Sequence, residues 1–300
     1  VTLIKCFANA ISKCKSTHIS VKSRIFLINL SYICKIFYKK QTMRKAIVMG
    51  ATSGIGMEVA KLLAGNGWQV GIAGRRVERL EALTQEVNER SKSKDFLGKA
   101  IAQGEITSYK VIDVTSPNAP LLLLELIEEM GGIDLYFHSS GIGWQNNSLD
   151  IEKELKTVET NGVGFVRMVD TAFKWFADRQ KKGRIACITS IAGTKGLGAA
   201  PAYSSTKRFQ NHYLECLSQQ AHMRHLPISV TDIRPGFVKT DLIAGSSYPL
   251  QLSPSDVAVH IVRAIEKGKE VKVIDWRYSL LVFFWHLLPR WIWTRIRITS

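Results

Sequence analysis

The chain is poor in cysteine. Five of its 300 residues are cysteine, and three of these (Cys6, Cys14, Cys34) fall within the first 42. No pair has the CxxC spacing of a metal site, and no paired framework is visible, which excludes a disulfide-stapled scaffold and a zinc-ribbon module. A reducing compartment, the cytoplasm, fits this usage. Cys187 and Cys216 both have apolar neighbours in sequence and read as small core residues. Long hydrophobic runs are also missing. A spanning helix needs roughly 20 apolar residues; "IFLINLSYICKIFY" is shorter and is interrupted by Lys35, and Leu280–Leu288 is shorter still. Neither a repeat nor a linker interrupts the order of elements from Arg44 onward, so one domain over 43–276 is expected, with a leader (1–42) and a tail (277–300) outside it.

Acidic residues are absent from the leader, which carries eight Lys/Arg and so holds half of the net charge of +16. Much of the remaining excess lies in Arg290, Arg295 and Arg297, while the middle of the chain mixes both signs. That distribution gives no basic stripe, and nucleic acid is not an expected partner. The leader begins with Val, and the first methionine of the chain is Met43, directly before a strand-like segment. Three readings stand: translated upstream sequence from a misplaced start, which is favoured; a basic targeting segment; or an anchor.

The tail, "WRYSLLVFFWHLLPRWIWTRIRITS", is broken by Pro289 and interleaves Trp291 and Trp293 with arginines. Aromatic and basic residues beside a short apolar run suit peripheral contact with a membrane interface. A hydrophobic flap or an oligomer contact is the competing reading, and it stands slightly ahead.

Between these ends the sequence alternates strand and helix, which predicts an α/β fold: a Rossmann-type, doubly wound, seven-stranded and mostly parallel sheet with helices on both faces. "KAIVMG", "WQVGIAG", "SYKVIDV", "IDLYFHSSG", "RIACITS", "ISVTDIRPG" and "EVKVID" are the strands. Helices are predicted from Ile55 to Asn66, over 76–90 with Val77, Leu80, Leu83 and Val87 on one face, from Leu121 to Met130, within 150–180, and from Ala202 to Ala221. The last helix of the body has Ser253 as N-cap, Pro254 at its first position and Gly268 past its end.

"GATSGIG" lies between the first strand and the first helix, placing Gly50, Gly54 and Gly56 in a GxxxGxG spacing with Thr52, Ser53 and Ile55 among them. A turn this tight lets backbone approach a pyrophosphate, and the helix start behind it offers free N–H groups to the anion. The second strand ends Gly74-Arg75-Arg76, with no carboxylate to accept hydrogen bonds from a ribose. Two guanidiniums match a 2′-phosphate, so NADP(H) is the expected cofactor; a solvated pair at a helix start is the plainer alternative.

Tyr203 and Lys207 are one turn apart on a predicted helix and share a face. A phenol is a poor proton donor or acceptor near neutrality, and an adjacent ammonium is expected to lower its pKa into a useful range. Ser190 leaves the end of the fifth strand, where open α/β sheets bind ligands. Alone, such a pair is common by chance.

Together these residues resemble the short-chain dehydrogenase/reductases over nearly all of 44–275, through the glycine turn, Asp113, Asn161 in "ETNGVG", Ser190, "YSSTK" and "RPGFVKT". The resemblance implies a catalytic set of Asn161, Ser190, Tyr203 and Lys207, in which Asn161 holds a water in a proton relay through Lys207. It implies that Lys207 also binds the nicotinamide ribose and that Asp113, beside Val114, meets the adenine. Pro235, Gly236 and Thr240 would seat the carboxamide, with Val238 nearby and Ser140 and Gly141 on the cofactor side. A homodimer or homotetramer is implied as well. Two departures stand out: Met49 where the family has Thr, and His138-Ser139-Ser140-Gly141 where it has Asn-Asn-Ala-Gly.

The expected function is an NADPH-dependent carbonyl reductase, or alcohol dehydrogenase in reverse, with Tyr203 as general acid and no metal. An epimerase or dehydratase using the same Tyr–Lys pair, and a non-catalytic NADPH-binding sensor or scaffold, are the alternatives. The substrate pocket is expected from Gly143, Trp144, Gln145, Ile191, Ala192 and Leu197, within the variable segments Gly143–Gln145, Gly193–Ala200 and Leu242–Leu252. The apolar tail points to a hydrophobic or lipid-linked carbonyl compound.

Overall fold

Each short apolar run becomes a strand of a single sheet because its residues are covered on both faces. The fold is that of a computed structural model, which describes residues 43–92, 104–243, 248 and 250–296. The leader, Arg297 and parts of the 242–252 loop lie outside the described residues. In chain order the elements are β1 (Lys45–Met49), α1 (Gly54–Gly65), β2 (Gln69–Gly74), α2 (Val77–Lys92), β3 (Glu105–Val111), α3 (Ala119–Glu129), β4 (Leu135–His138) and α4 (Ile151–Val158). A π-helical turn, Glu159–Gly164, leads into α5 (Phe165–Asp178). Then follow β5 (Gly183–Ile188), α6 (Pro201–Met223), β6 (Ile228–Arg234), α7 (Pro254–Glu266), β7 (Val271–Val273), α8 (Trp276–Leu287) and α9 (Arg290–Trp293).

The seven strands lie in the order β3-β2-β1-β4-β5-β6-β7, and every pair is parallel. Strand order reverses between β1 and β4, the crevice where doubly wound sheets bind ligands. Two apolar layers flank the sheet. One gathers Leu123, Phe165, Val169 and Leu214 from α3, α5 and α6. The other gathers Val59, Leu63, Leu80 and Ile261 from α1, α2 and α7.

Most element boundaries fall within a few residues of the sequence expectation. β3 starts earlier than expected, at Glu105, because it is an edge strand whose alternate residues face solvent and so lacks a continuous apolar run. Leu80, Leu83 and Val87 are buried on α2 as expected. Ser253 occupies the N-cap position of α7, but its hydroxyl bonds Ser255 Oγ at 2.6 Å rather than capping a backbone N–H. Gly268 takes the left-handed backbone (φ +62°) that ends this helix. Cys187 is buried, but Cys216 is exposed: the helix turns it away from the inward face of Leu214 and Leu217.

The tail packs on the body. Tyr278 and Val282 of α8 bury against Ile191, and Trp293 of α9 stacks edge-on against Trp285, centroids 5.3 Å apart. Pro289 breaks the two helices as expected. Among the described residues no helix is long and apolar enough to cross a membrane.

Candidate active site

The glycine turn is built by close packing. Gly50 has φ +87°, and a Cβ there would strike the Ser140 backbone, so the close approach of this turn to the segment after β4 requires glycine. Backbone bonds, Gly50 N to Ala73 O at 2.8 Å and Ser139 N to Met49 O at 2.8 Å, tie the turn to both neighbouring strands. The two departures from the family pattern therefore leave the strands joined, because main-chain groups make the connection. α1 begins behind Ser53 with no side-chain cap and no acidic residue in its first turn, which leaves N–H groups free for an anion. Thr240 lies over Gly54 and closes the turn from the β6 side.

Arg76 folds across this turn. Its Nη2 donates to Thr52 Oγ1 at 2.8 Å and to Ser53 Oγ at 2.9 Å. Arg79, not anticipated from the sequence, adds a second guanidinium, and Asp241 pairs with both at 3.5 and 3.3 Å. Arg75 instead reaches Asp113 at 4.0 Å. Partial burial works against ionisation of Asp113, but hydrogen bonds from Thr115 and the nearby Arg75 hold its carboxyl below the usual range. Val114 is buried beside it. The free N–H groups and hydroxyls at this turn fit the diphosphate of a dinucleotide.

Ser190 follows β5, with its Oγ accepting from Ala192 N at 3.0 Å. Tyr203 and Lys207 rise from the first turns of α6, and Lys207 Nζ lies 5.7 Å from the Tyr203 ring centre. Gly143 packs so tightly on the Tyr203 ring that any side chain there would displace it. Burial pushes the Tyr203 phenol above its ordinary value, and a hydrogen bond with Ser190 offsets part of this. The expected lowering of that pKa by Lys207 is not seen. The ammonium is directed elsewhere, donating to Ile188 O at 3.1 Å and Gln210 Oε1 at 2.9 Å. Lys207 itself is lowered to about 8, chiefly by burial, with Asp232 opposing.

Asn161 is fully buried in the π turn, a distortion common at functional sites. Its Oδ1 accepts from Ile142 N at 2.9 Å, and its Nδ2 donates to Ile142 O at 2.7 Å and Thr206 Oγ1 at 3.2 Å. It touches neither Tyr203 nor Lys207 through these atoms. Its backbone carbonyl oxygen accepts instead from Gln210 Nε2 at 2.8 Å, so Gln210 joins Asn161 to Lys207. Gln210 was legible only as the residue three after Lys207, on the same face of α6.

The remaining expected positions surround this core. Ile191 N donates to Pro235 O at 3.1 Å, which couples the Ser190 turn to Pro235 and Gly236. Gly236 packs on the Tyr278 ring, and the Tyr278 hydroxyl accepts from Phe237 N at 3.2 Å and donates to Leu250 O at 3.0 Å. Val238 is buried and bridges Leu252. Ala192 is buried; Ile191 packs under α8; Leu197 N donates to Ser204 Oγ at 3.1 Å. Trp144 is partly exposed, and Gln145 Nε2 donates to Tyr248 Oη at 2.6 Å. Gly141 backs onto Asn161 Oδ1 and Lys207 Nζ.

A nucleotide-binding turn and a tyrosine–lysine pair on the same carboxyl edge of a parallel sheet mark an oxidoreductase of the Rossmann class. The family model for short chain dehydrogenases matches residues 44–247, and the chain belongs to that family. An uncharacterized oxidoreductase of Myxococcus xanthus is 30% identical, over 83% of this chain and 94% of its own. Dehydrogenase/reductase SDR family member 7B of Rattus norvegicus is 29% identical, over 84% and 80%. Among solved structures, a single-substitution variant of actinorhodin polyketide ketoreductase with NADPH is similar at TM-score 0.65 and 26% identity, over 77% of this chain and 95% of that one. A Sphingobium yanoikuyae short-chain dehydrogenase in complex with NADPH shares the fold at TM-score 0.68 and 17% identity, over 86% and 98%. Members of this family use a nicotinamide cofactor.

Proposed function

We propose that the chain is an NADPH-dependent carbonyl reductase that also runs the reverse alcohol oxidation. The observation that carries this reading is the meeting of Ser190, Tyr203 and Lys207 at the carboxyl end of β5, beside the glycine turn. When bound, the nicotinamide supplies a hydride to a ketone or aldehyde carbon. Tyr203 keeps its proton at neutral pH and gives it to the substrate oxygen as negative charge develops there. Ser190 hydrogen-bonds that oxygen, and Lys207 is read as the residue that binds the nicotinamide ribose. Asn161 and Gln210 hold Lys207 from the far side.

NADP(H) over NAD(H) rests on Arg75, Arg76 and Arg79 at the place where a ribose-binding carboxylate would select NAD. Gly50, Thr52, Ser53, Gly54, Ile55 and Gly56 are read as the diphosphate turn. Asp113 and Val114 take the adenine, and Pro235, Gly236, Val238 and Thr240 the carboxamide. The ketoreductase bound to NADPH among the similar structures supports the same cofactor and carbonyl chemistry. The substrate is read as hydrophobic or lipid-linked, the enzyme as cytoplasmic and membrane-peripheral through its C-terminal segment, and its assembly as a homodimer or homotetramer.

Oxidation of NADPH and of NADH, each with a panel of aliphatic, aromatic and long-chain ketones, tests the reading. Ketone-dependent oxidation of NADPH supports it, and no turnover with any carbonyl compound contradicts it.

A further inference from the structure

Helix α8 is largely apolar, with Arg277, Ser279 and His286 as its polar residues, and the body covers only part of it. Tyr278, Val282 and Trp285 face inward against Ile191 and Phe237. Trp276, Leu280, Phe283, Phe284 and Leu287, at i, i+4, i+7, i+8 and i+11, form the opposite stripe and are 73%, 49%, 57%, 54% and 63% exposed. Trp291 and Ile296 extend it, at 64% and 44%. Side chains of this size and apolar character in one contiguous stripe mark a contact surface rather than scattered surface residues.

Charge decides among the occupants. From Trp276 to Ile296 there is no Asp or Glu, whereas Arg290 and Arg295 are exposed beside the stripe. Arg277 is already paired with Asp275 at 2.8 Å. A second copy docked on the same face by two-fold symmetry would bring like guanidiniums together with no carboxylate in the segment to pair them. An anionic lipid surface supplies that counter-charge, and its acyl boundary receives the apolar stripe. Twelve residues at 1.5 Å each give about 18 Å, too short to span a bilayer and suited to lying in its plane.

We infer that α8 and α9 dock this chain on an anionic membrane surface, with Trp276, Leu280, Phe283, Phe284 and Leu287 as the buried stripe. The same helices grip the pocket wall. Lys195 Nζ donates to Leu288 O at 2.8 Å, Trp293 Nε1 donates to Gly196 O at 2.7 Å, and Tyr278 holds the loop at Leu250. Docking therefore sets the 194–200 segment at the lipid surface, where a membrane-partitioned carbonyl compound enters. This last step rests on the reductase reading; the docking does not.

Flotation of the full chain with vesicles tests it without turnover. Wild type is compared on phosphatidylcholine vesicles and on vesicles containing a third phosphatidylserine, beside Leu280→Gln/Phe283→Gln/Phe284→Gln/Leu287→Gln and Arg290→Gln/Arg295→Gln. Near-UV circular dichroism and sedimentation velocity report fold and assembly. The wild type is expected to float at least tenfold better with the anionic vesicles. The apolar variant is expected to lose flotation with its fold and sedimentation unchanged, and the arginine variant to lose the preference for phosphatidylserine. The inference is overturned if the wild type stays unbound or floats equally with both vesicles, or if the apolar variant floats like the wild type. It is also overturned if that variant sediments as a smaller species, which would make the stripe a contact between copies. A protein that floats yet reduces no carbonyl compound would sink the reductase reading and leave the docking standing.

Discussion

Gln210 stands between Asn161 and Lys207, its Nε2 on the Asn161 carbonyl oxygen at 2.8 Å and its Oε1 on Lys207 Nζ at 2.9 Å. All three residues are buried. Gln210 thus links the two residues through its side-chain amide. An amide orients its partners but passes protons poorly, so it positions the ammonium.

Gln210→Leu should leave the Asn161 carbonyl and the Lys207 ammonium each short of a partner, at a stability cost of about 1–3 kcal/mol. It should also lower the Lys207 pKa further, since an acceptor for the charged form is lost. The alkaline limb of kcat/KM for the cofactor then moves to lower pH, and Gln210→Glu moves it to higher pH. A purely structural role would shift the melting temperature and leave the limb in place.

Lys207 titrates at about 8, within reach of a rate profile. Below that pH the ammonium is present and Tyr203 holds its proton, so ketone reduction should be flat with pH. Above about 8 reduction should fall as Lys207 loses its charge. Alcohol oxidation needs a deprotonated Tyr203 and should rise with pH over the same range. Initial rates in both directions from about pH 6 to 10, on both sides of the Lys207 value of about 8, check the crossing.

Removing one guanidinium from the nucleotide turn should act on one cofactor only. Arg76→Ala should raise KM for NADPH roughly 10–100-fold, the worth of a charge-assisted contact, with a much smaller change for NADH. Asp241→Asn should do the reverse by a few fold, since it frees Arg76 and Arg79 from their counter-ion.

His138 is buried and held neutral, its pKa lowered to about 3 by burial and then by the charge of Lys207, from an ordinary 6.5. The unfolded chain takes up a proton that the folded chain refuses, so stability should fall as pH drops below about 6.5, by up to about 1.4 kcal/mol per pH unit until about 3. His138→Asn removes this contribution. Denaturant midpoints at pH 7, 6 and 5 should converge between variant and wild type, or cross, as pH falls; parallel curves would contradict the buried neutral state.

Much of the site could be read from the chain because its parts are local. A glycine turn after an apolar strand, and Tyr203 and Lys207 at i and i+4, are patterns that secondary structure alone brings into place. The π turn at Glu159–Gly164 was hidden, since it is a shift of backbone hydrogen bonding with no side-chain period of its own. Arg79 and Asp241 meet across 162 residues, which no local pattern reports. Tyr278 was missed for a related reason: Gly236 reads as part of a turn, and nothing in a glycine names the ring that packs on it. Cys216 misled because apolar sequence neighbours on a helix point to different sides.

Replacing Tyr203 with Phe removes a single hydroxyl from a ring that Gly143 keeps packed. Single-turnover oxidation of bound NADPH, with whichever ketone the panel identifies, measures the step this hydroxyl serves. Tyr203→Phe is expected to bind NADPH as the wild type does and to slow that turnover by about 10²–10⁴-fold, the worth of a positioned general acid. An unchanged rate would contradict it.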